Sequence, residues 1–518
     1  VRDLAQHLVI APIAIPLACG AFMLLLGERR HAAKAAISVS GALLLLFAAI
    51  ALAGRADAPF PAVYALGAWP APFGIVLVAD RLSAAMVLLA ALLGLAALGF
   101  SLARWDRAGA HFHSMVHFLL AGLCGAFLTG DLFNLFVFFE LMLAASYGLA
   151  LHGSGAQRVR ASLHYITVNL AASLLFLVGV SLMYGVAGTL NMADLARRLA
   201  HVAPGDRALL EIGAASLGIA FLVKAAMWPL GFWLAPTYSA AAAPCAALFA
   251  ILSKVGIYAI VRVWLVVFAG EPGAQFLAVG GLATLAYGTL GMVSSQDLGR
   301  MASFSLVISS GTLLAACGLG GTHATGAAIY YLFASTLGVA ALFLLVELVD
   351  RVRGPGADIL AVTADAFGLA GAENGVDETE GVAIPAPMAV LGIAFAGAAL
   401  LVAGLPPLPG FLAKFAILAA VLDARPIPAT AWTLLALLML SGLAAVIAFA
   451  RAGIRAFWAA PRDARPRVRV LEMLPVAMLL AACLSLTIGA APAMRYLQEA
   501  AHTVLAPGAY IGEVLRAP

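Results

Sequence analysis

Apolar runs of about 20 residues recur from Leu8 to Gly489, separated by short polar connections. A helix needs about that length to cross the hydrocarbon core, so each run predicts a transmembrane helix. Roughly fourteen spans result, at 8–27, 33–53, 82–103, 115–130, 132–152, 163–187, 212–230, 241–268, 275–294, 301–319, 325–349, 387–422, 432–450 and 470–489. The runs are continuously apolar rather than alternating, which selects helices over barrel strands. The expected fold class is therefore all-α, a polytopic membrane protein with a single membrane domain over 1–518. Composition agrees: 64% of residues are hydrophobic and 10% charged, far outside the range of soluble domains.

Lysine and arginine in the connections set the orientation, because they favour the cytoplasmic side. About sixteen lie on one side, including Arg104, Arg158, Arg351 and the cluster from Arg451 to Arg469. About ten lie on the other, Arg81, Arg197, Arg198 and Arg262 among them. Both termini are then expected outside the cytoplasm. The net charge of +4 is explained by these anchors, and no nucleic-acid partner follows from it. Trp105, Trp432 and Trp458 lie near span ends, as an aromatic belt in a lipid bilayer requires. The one long polar insertion, 354–386, has six acidic residues and no Lys or Arg. It reads as a flexible cytoplasmic connector, or as a segment that attracts cations or docks a subunit.

Four charges fall inside the apolar runs: Glu140 in Leu132–Leu151, Lys224 in Ile212–Leu230, Lys254 in Ala246–Phe268 and Lys414 in Phe411–Leu422. At mid-bilayer depth each costs roughly 2.5–3.5 kcal/mol or more without a partner. A chain that keeps four such charges is moving charge, or else Glu140 and Lys224 form a structural ion pair and Lys254 snorkels to an interface. Two spans are also broken. Pro229 cannot donate to the carbonyl of Ala225, so that helix should bend beside Lys224. In Gly404-Leu-Pro406-Pro407-Leu-Pro409-Gly410 several donors are missing immediately before Lys414. Irregular backbone at this depth is tolerated only inside protein or beside water.

The two breaks are five spans apart, an odd number, so the broken helices cross in opposite directions. That is the pattern of an inverted repeat. Repeat one would be 115–268 (spans 4–8) and repeat two 275–450 (spans 9–13), leaving 1–103 and 470–518 outside. Five cysteines stand singly in apolar surroundings, with no metal-ligand spacing, and there is no phosphate loop, dinucleotide fingerprint or nucleophile elbow. No cofactor or metal is expected, and the energy source is an ion gradient or a partner protein.

The segment Gly130-Asp-Leu-Phe-Asn-Leu-Phe-Val-Phe-Phe-Glu140-Leu-Met-Leu-Ala-Ala-Ser-Tyr147 resembles the fifth-helix motif of the D-type membrane subunits of the Mrp/Pha multisubunit monovalent cation/proton antiporters. Phe221-Leu-Val-Lys224-Ala-Ala-Met-Trp-Pro229 with Trp233-Leu-Ala-Pro236-Thr-Tyr238, and Ser253-Lys254-Val-Gly-Ile-Tyr258-Ala-Ile-Val-Arg262, resemble that family's seventh and eighth helices. Gly404 to Phe415 resembles its twelfth. The similarity extends to the proton-pumping membrane subunits of respiratory complex I and related hydrogenases. It implies fourteen helices with two inverted five-helix repeats, discontinuous seventh and twelfth helices, and a proton relay of Glu140, Lys224, Lys254 and Lys414. One departure stands out: relatives commonly carry a His where Ala334 stands, and some a Lys at Gly338. Water, Ser335 or Thr336 would then bridge Lys254 to Lys414.

Desolvation disfavours a lysine ammonium and a nearby carboxylate restores it, so a Glu140 that moves relative to Lys224 would switch the lysine between holding and releasing a proton. Pro229, Pro406 and Pro407 enter as the residues that break the helices. Asp131 lies nine residues before Glu140, roughly 13–14 Å along a helix. It is either an outer-face proton antenna or the cap of the fifth helix. His111, His113 and His117 are expected as a solvated interfacial cluster.

The function expected is a proton-translocating, non-enzymatic subunit of a multisubunit Na⁺(K⁺)/H⁺ antiporter in a bacterial inner membrane. Its partners would be the other subunits, protons and Na⁺, K⁺ or Li⁺. The alternative is a proton-pumping subunit of an NADH:quinone oxidoreductase or membrane-bound hydrogenase. A third reading, from a different class, is an assembly scaffold whose buried charges only fix packing.

Overall fold

The computed structural model describes residues 7–27, 29–58, 60–270, 273–353, 386–423, 426–458 and 468–516. Helices form along the apolar runs because in lipid each backbone donor and acceptor must be satisfied within its own segment. In chain order they begin α1 (Ala11–Leu25), α2 (His31–Ala56), α3 (Arg81–Ser101), α4 (Phe112–Leu128), α5 (Leu132–Ala150) and α6 (Ala156–Ala187). Next come the short α7 (Met192–Leu199), α8 (Arg207–Lys224), α9 (Leu234–Ala240), α10 (Ala243–Phe249) and α11 (Leu252–Phe268). Then follow α12 (Ala274–Ser294), α13 (Leu298–Leu319), α14 (Thr322–Arg353), α15 (Ala386–Ala403) and α16 (Pro409–Leu422). The chain finishes with α17 (Ala429–Gly453), α18 (Val470–Ile488), α19 (Ala490–Leu505) and α20 (Gly508–Arg516).

Among the described residues, eleven helical stretches are long and apolar enough to cross a membrane. Eleven of the fourteen expected spans fall on these stretches; the other three fall on α1 and α4, which are shorter, and on α8, which carries Arg207, Glu211 and Lys224. The polar insertion lies outside the described residues apart from its last residue, Ala386, which opens α15. The most enclosed stretches are α10–α11, α13 and α14, each about nine-tenths buried, so the centre of the bundle lies where the two expected repeats meet.

Two elements depart from the expectation of helices alone. Ala62–Ala65 pairs antiparallel with Val76–Ala79, Ala62 opposite Ala79, and the second strand is wholly buried. It docks where the Gly130 N–H donates to the Val76 carbonyl at 3.0 Å, beside the start of α5. The residues after α18, which lie outside the expected spans, form α19 and α20. α19 packs on α14 and α3, and α20 on α7.

Arg262 is not an interfacial anchor. It is 4% exposed and holds Asp80, 3% exposed, in a bidentate pair of 2.5 and 2.8 Å. Asp80 also caps α3 by accepting from the Ser83 N–H at 2.8 Å. The Tyr258 hydroxyl accepts from Arg262 Nε at 3.2 Å and donates to the Phe127 carbonyl at 2.6 Å. The pair thus ties α3, α4 and α11 together, with Tyr510 of α20 stacked over the guanidinium. Arg262→Leu strands the Asp80 carboxylate and should cost roughly 3–5 kcal/mol, read as loss of thermal stability of the purified subunit or complex. Adding Asp80→Leu to Arg262→Leu should recover most of that loss; a single variant as stable as the parent contradicts the assignment.

Candidate functional site

Glu140 sits at the middle of α5, which lies close on α4 because Gly122 and Gly125 face it. A Cβ on Gly122 would stand 2.6 Å from the Met142 nitrogen, and one on Gly125 2.1 Å from the Phe138 ring. Glu140 is half-buried, and its Oε1 is enclosed without a hydrogen-bond partner among the described residues. Lys224 is the last residue of α8 and 4% exposed. Its Nζ lies 3.4 Å from Ser173 Oγ on α6 and 5.3 Å from the centroid of the Phe139 ring. No ion pair joins it to Glu140 among the described residues. Ser173 and the ring face of Phe139 hold the ammonium.

The break at Lys224 is wider than Pro229 alone predicts. α8 stops at Lys224 itself, and helix resumes only at Leu234. Ala226 takes a left-handed φ of 57°. Backbone groups freed by the break find side chains: Trp233 Nε1 donates to the Val223 carbonyl at 3.2 Å, and the Trp228 N–H donates to Thr284 Oγ1 of α12 at 2.9 Å. Gly256 of α11 lies against the broken backbone, where a Cβ would stand 2.5 Å from the Ala225 nitrogen. This contact seats α11, with Lys254 two residues earlier, directly on the end of α8.

Lys254 is fully buried, which rules out snorkelling. It is the third residue of α11, just after a slip in the hydrogen-bond ladder at Ala250–Ile251 that no proline or glycine announces. Its Nζ donates to Ser309 Oγ at 2.9 Å and Ser310 Oγ at 3.3 Å on α13. Ser309 Oγ lies 2.8 Å from Ser335 Oγ on α14. Beyond Ser335 is a small cavity lined by Ser305, Tyr331, Ser335, Ser441 and Lys414, with about 10 Å³ for a water centre, room for about one molecule. Ser335, one of the two hydroxyl residues expected to bridge the stretch at Ala334, faces this route. Thr336 does not: its hydroxyl donates to the Leu332 carbonyl of its own helix at 2.6 Å.

Lys414 closes the series. α15 ends at Ala403, the stretch 404–408 with Pro406 and Pro407 is non-helical, and α16 starts at Pro409. The Ala403 carbonyl accepts from Lys414 Nζ at 3.1 Å. Gly404 has φ 76°, and a Cβ there would meet Lys414 Nζ at 2.9 Å, so both the turn and the ammonium require glycine.

Asp131 accepts from the Asn134 N–H at 2.8 Å and caps α5, the capping alternative. Two of the three histidines depart from the expected solvated cluster, while His111 is exposed as expected. His113 and His117 are 5% and 0% exposed, and His117 Nε2 lies 3.0 Å from the Ser38 carbonyl of α2. His113 Nε2 stands 4.0 Å from Asp106, whose carboxyl burial holds above its usual range. Trp105 is no simple belt residue, since its Nε1 donates to Glu347 at 2.7 Å. Asp80 is one of the buried acids that hydropathy does not single out; its place just before an apolar run was the available signal.

The NADH:quinone oxidoreductase/Mrp antiporter transmembrane model matches residues 129–444, more than half of the chain. The chain belongs to this family. Among similar antiporter-family members, a probable K⁺/H⁺ antiporter subunit of Rhizobium meliloti is 54% identical over 533 residues, covering 100% of this chain and 99% of the relative. A Na⁺/H⁺ antiporter subunit of Bacillus subtilis is 33% identical over 519 residues, covering 99% and 100%. Both relatives are of the D type. Among solved structures, a chain of the Mrp complex from Dietzia sp. superposes with a TM-score of 0.85 at 28% identity over 99% of each chain. A chain of respiratory complex I from Thermus thermophilus shares the fold, with a TM-score of 0.75 at 22% identity over 98% and 99%. Glu140, Lys224, Lys254 and Lys414 all fall inside the stretch matched by the antiporter family model.

Gly404→Ala should lower thermal stability by about 1–2 kcal/mol from the left-handed backbone alone, and further through the clash with Lys414. Gly397→Ala on α15, where a Cβ meets nothing within 4 Å, should instead stabilise by about 0.5–1 kcal/mol. Equal melting temperatures for the two variants would contradict this account of the break.

Proposed function

We propose that the chain is the proton-translocating subunit of a multisubunit monovalent cation/proton antiporter, with Glu140, Lys224, Lys254 and Lys414 carrying the proton. The observation that supports this reading best is the run of buried amines joined by hydroxyls: Lys254 to Ser309 to Ser335 to a cavity that also touches Lys414. Two lysines buried inside apolar helices have no packing reason to share such a line of hydroxyls. Full-length similarity to antiporter subunits named for K⁺ and for Na⁺ supports the same reading, with other subunits of such a complex as partners.

Burial penalises an ammonium and a carboxylate that approaches restores it. Each pKa unit gained or lost corresponds to about 1.4 kcal/mol. Glu140 Oε1 has no hydrogen-bond partner among the described residues, which leaves the acid free to approach or withdraw from Lys224 and so to load or discharge the lysine. Lys254 takes the proton next, and the Ser309–Ser335 pair with one water passes it to Lys414. The broken helices give Lys224 and Lys414 corresponding places in two inverted repeats, 115–268 and 275–450. The arginine-rich loops would face the cytoplasm of a bacterial cell, both termini the other side of its inner membrane.

In everted vesicles carrying the assembled complex, Glu140→Gln and Lys224→Ala should each slow cation-induced dissipation of a proton gradient by about a hundredfold or more. Full activity of both variants sinks the proposal, and running Na⁺, K⁺ and Li⁺ side by side names the cation. Ser335→Ala should slow the same flux by about fivefold, the equivalent of about 1 kcal/mol for one hydrogen bond. Thr336→Val should leave it unchanged, and the reverse order would displace the route from Ser335.

A further inference from the structure

The widest cavity among those described, about 540 Å³ and open to one face, lies where the two halves meet, lined by Arg104, Arg158, Tyr238, Glu347, Asp350 and Arg351. Its walls come from the arginine-rich connections, so it opens on the side the charge distribution assigns to the cytoplasm. Tyr238, at the end of α9, is 0% exposed, and its hydroxyl is buried without a partner among the described residues. Tyr238 shares its packing with Tyr165 of α6: both rings contact Trp233, at 6.0 and 5.3 Å between centroids, and Phe249, at 5.6 and 6.3 Å. Tyr165 is likewise 0% exposed, and its ring lies 5.5 Å from that of Tyr147 on α5.

Tyr147 follows Glu140 by seven residues, two turns on the same face of α5, and its side chain leans back toward the turn that bears the acid. Its hydroxyl is a second buried group without a partner, as is Glu140 Oε1. Between them, Ser146 gives its own proton to the Leu143 carbonyl at 2.7 Å, so Tyr165 must donate to Ser146 across their 2.7 Å contact and keeps a lone pair free to accept. Packing alone would be served as well by phenylalanine at Tyr147 and Tyr238. Two unsatisfied hydroxyls buried on either side of Tyr165, on the way to an unsatisfied carboxylate oxygen, have no structural use.

We propose that Tyr238, Tyr165 and Tyr147 form a hydroxyl chain that exchanges protons between Glu140 and the arginine-lined cavity. The proposal rests on the relay reading above and names its cytoplasmic mouth. A proton arriving at the Tyr238 oxygen forms one O–H bond as that hydroxyl's own O–H breaks toward the next oxygen. The exchange repeats at Tyr165 and Tyr147, and the last O–H bond forms on Glu140, whose carboxylate becomes a neutral acid; the reverse sequence returns the proton to the cavity, the direction read in everted vesicles. No tyrosinate is left behind, so the high pKa of a phenol is no obstacle. Tyr165 turns its O–H away from Ser146 about the C–O bond to donate along the chain, and gaps wider than a direct hydrogen bond are crossed by a water.

The test uses Tyr147→Phe, Tyr165→Phe and Tyr238→Phe in the assembled complex in everted vesicles, with the exposed Tyr184→Phe as control and Glu140→Gln as reference. Removing a hydroxyl from the chain should lower the maximum proton flux by roughly tenfold, with the half-saturating cation concentration and the control unchanged. Tyr238→His, which returns a proton carrier to that place, should recover part of the lost rate and stands in if the Phe variant does not assemble. Full-speed flux in all three Phe variants with Glu140→Gln inactive overturns the chain and spares the relay. A loss confined to cation half-saturation, or an assembled Tyr238→His complex without flux, also overturns it. Activity of Glu140→Gln itself removes the relay reading instead.

Discussion

A lysine ammonium held inside a hydrocarbon slab needs oxygen atoms around it, and a continuous helix offers none, because every carbonyl is already engaged. The architecture around Lys224, Lys254 and Lys414 follows from that constraint. Lys224 ends a helix, Lys254 sits just beyond a slip in its hydrogen-bond ladder, and Lys414 reaches back to a carbonyl freed by the break before it. Serine hydroxyls on neighbouring helices supply the remaining acceptors: Ser173 for Lys224, Ser309 and Ser310 for Lys254. Charge and irregular backbone are therefore two aspects of one solution.

Irregular backbone has its own cost, and glycine and side-chain donors contain it. Gly256 lets α11 lie on the open end of α8, and Trp233 and Thr284 satisfy groups that water would otherwise have to reach. Outside this region rigidity comes from the buried Asp80–Arg262 pair, which fixes α11 against α3 and α4. The contrast is physical. A bidentate, fully paired guanidinium cannot give up its proton and so holds position, whereas amines on single hydroxyls and carbonyls can exchange theirs.

The helical spans, the two proline-bearing breaks and the four buried charges were legible in the residues, since each is a local departure from an apolar background. Other features were not. The slip before Lys254 has no proline or glycine within it, and Arg262 reads as an anchor until α3 brings Asp80 to it. Direct pairing of Glu140 with Lys224 is what opposite charges suggest, yet Lys224 Nζ rests on Ser173 and the face of the Phe139 ring instead. His113 and His117 sit near a span end and read as solvated, but α1 and α2 cover them.

Taken alone, the chain determined that this is a many-helix membrane protein, where its helices break and which charges they bury, because hydropathy and missing N–H donors act within a few residues of themselves. Which hydroxyl serves which amine was decided by the tertiary structure. Ser335 and Thr336 are adjacent and chemically alike, but successive helical positions point about 100° apart. Packing of α14 against α13 turned one toward Ser309 and left the other to its own backbone.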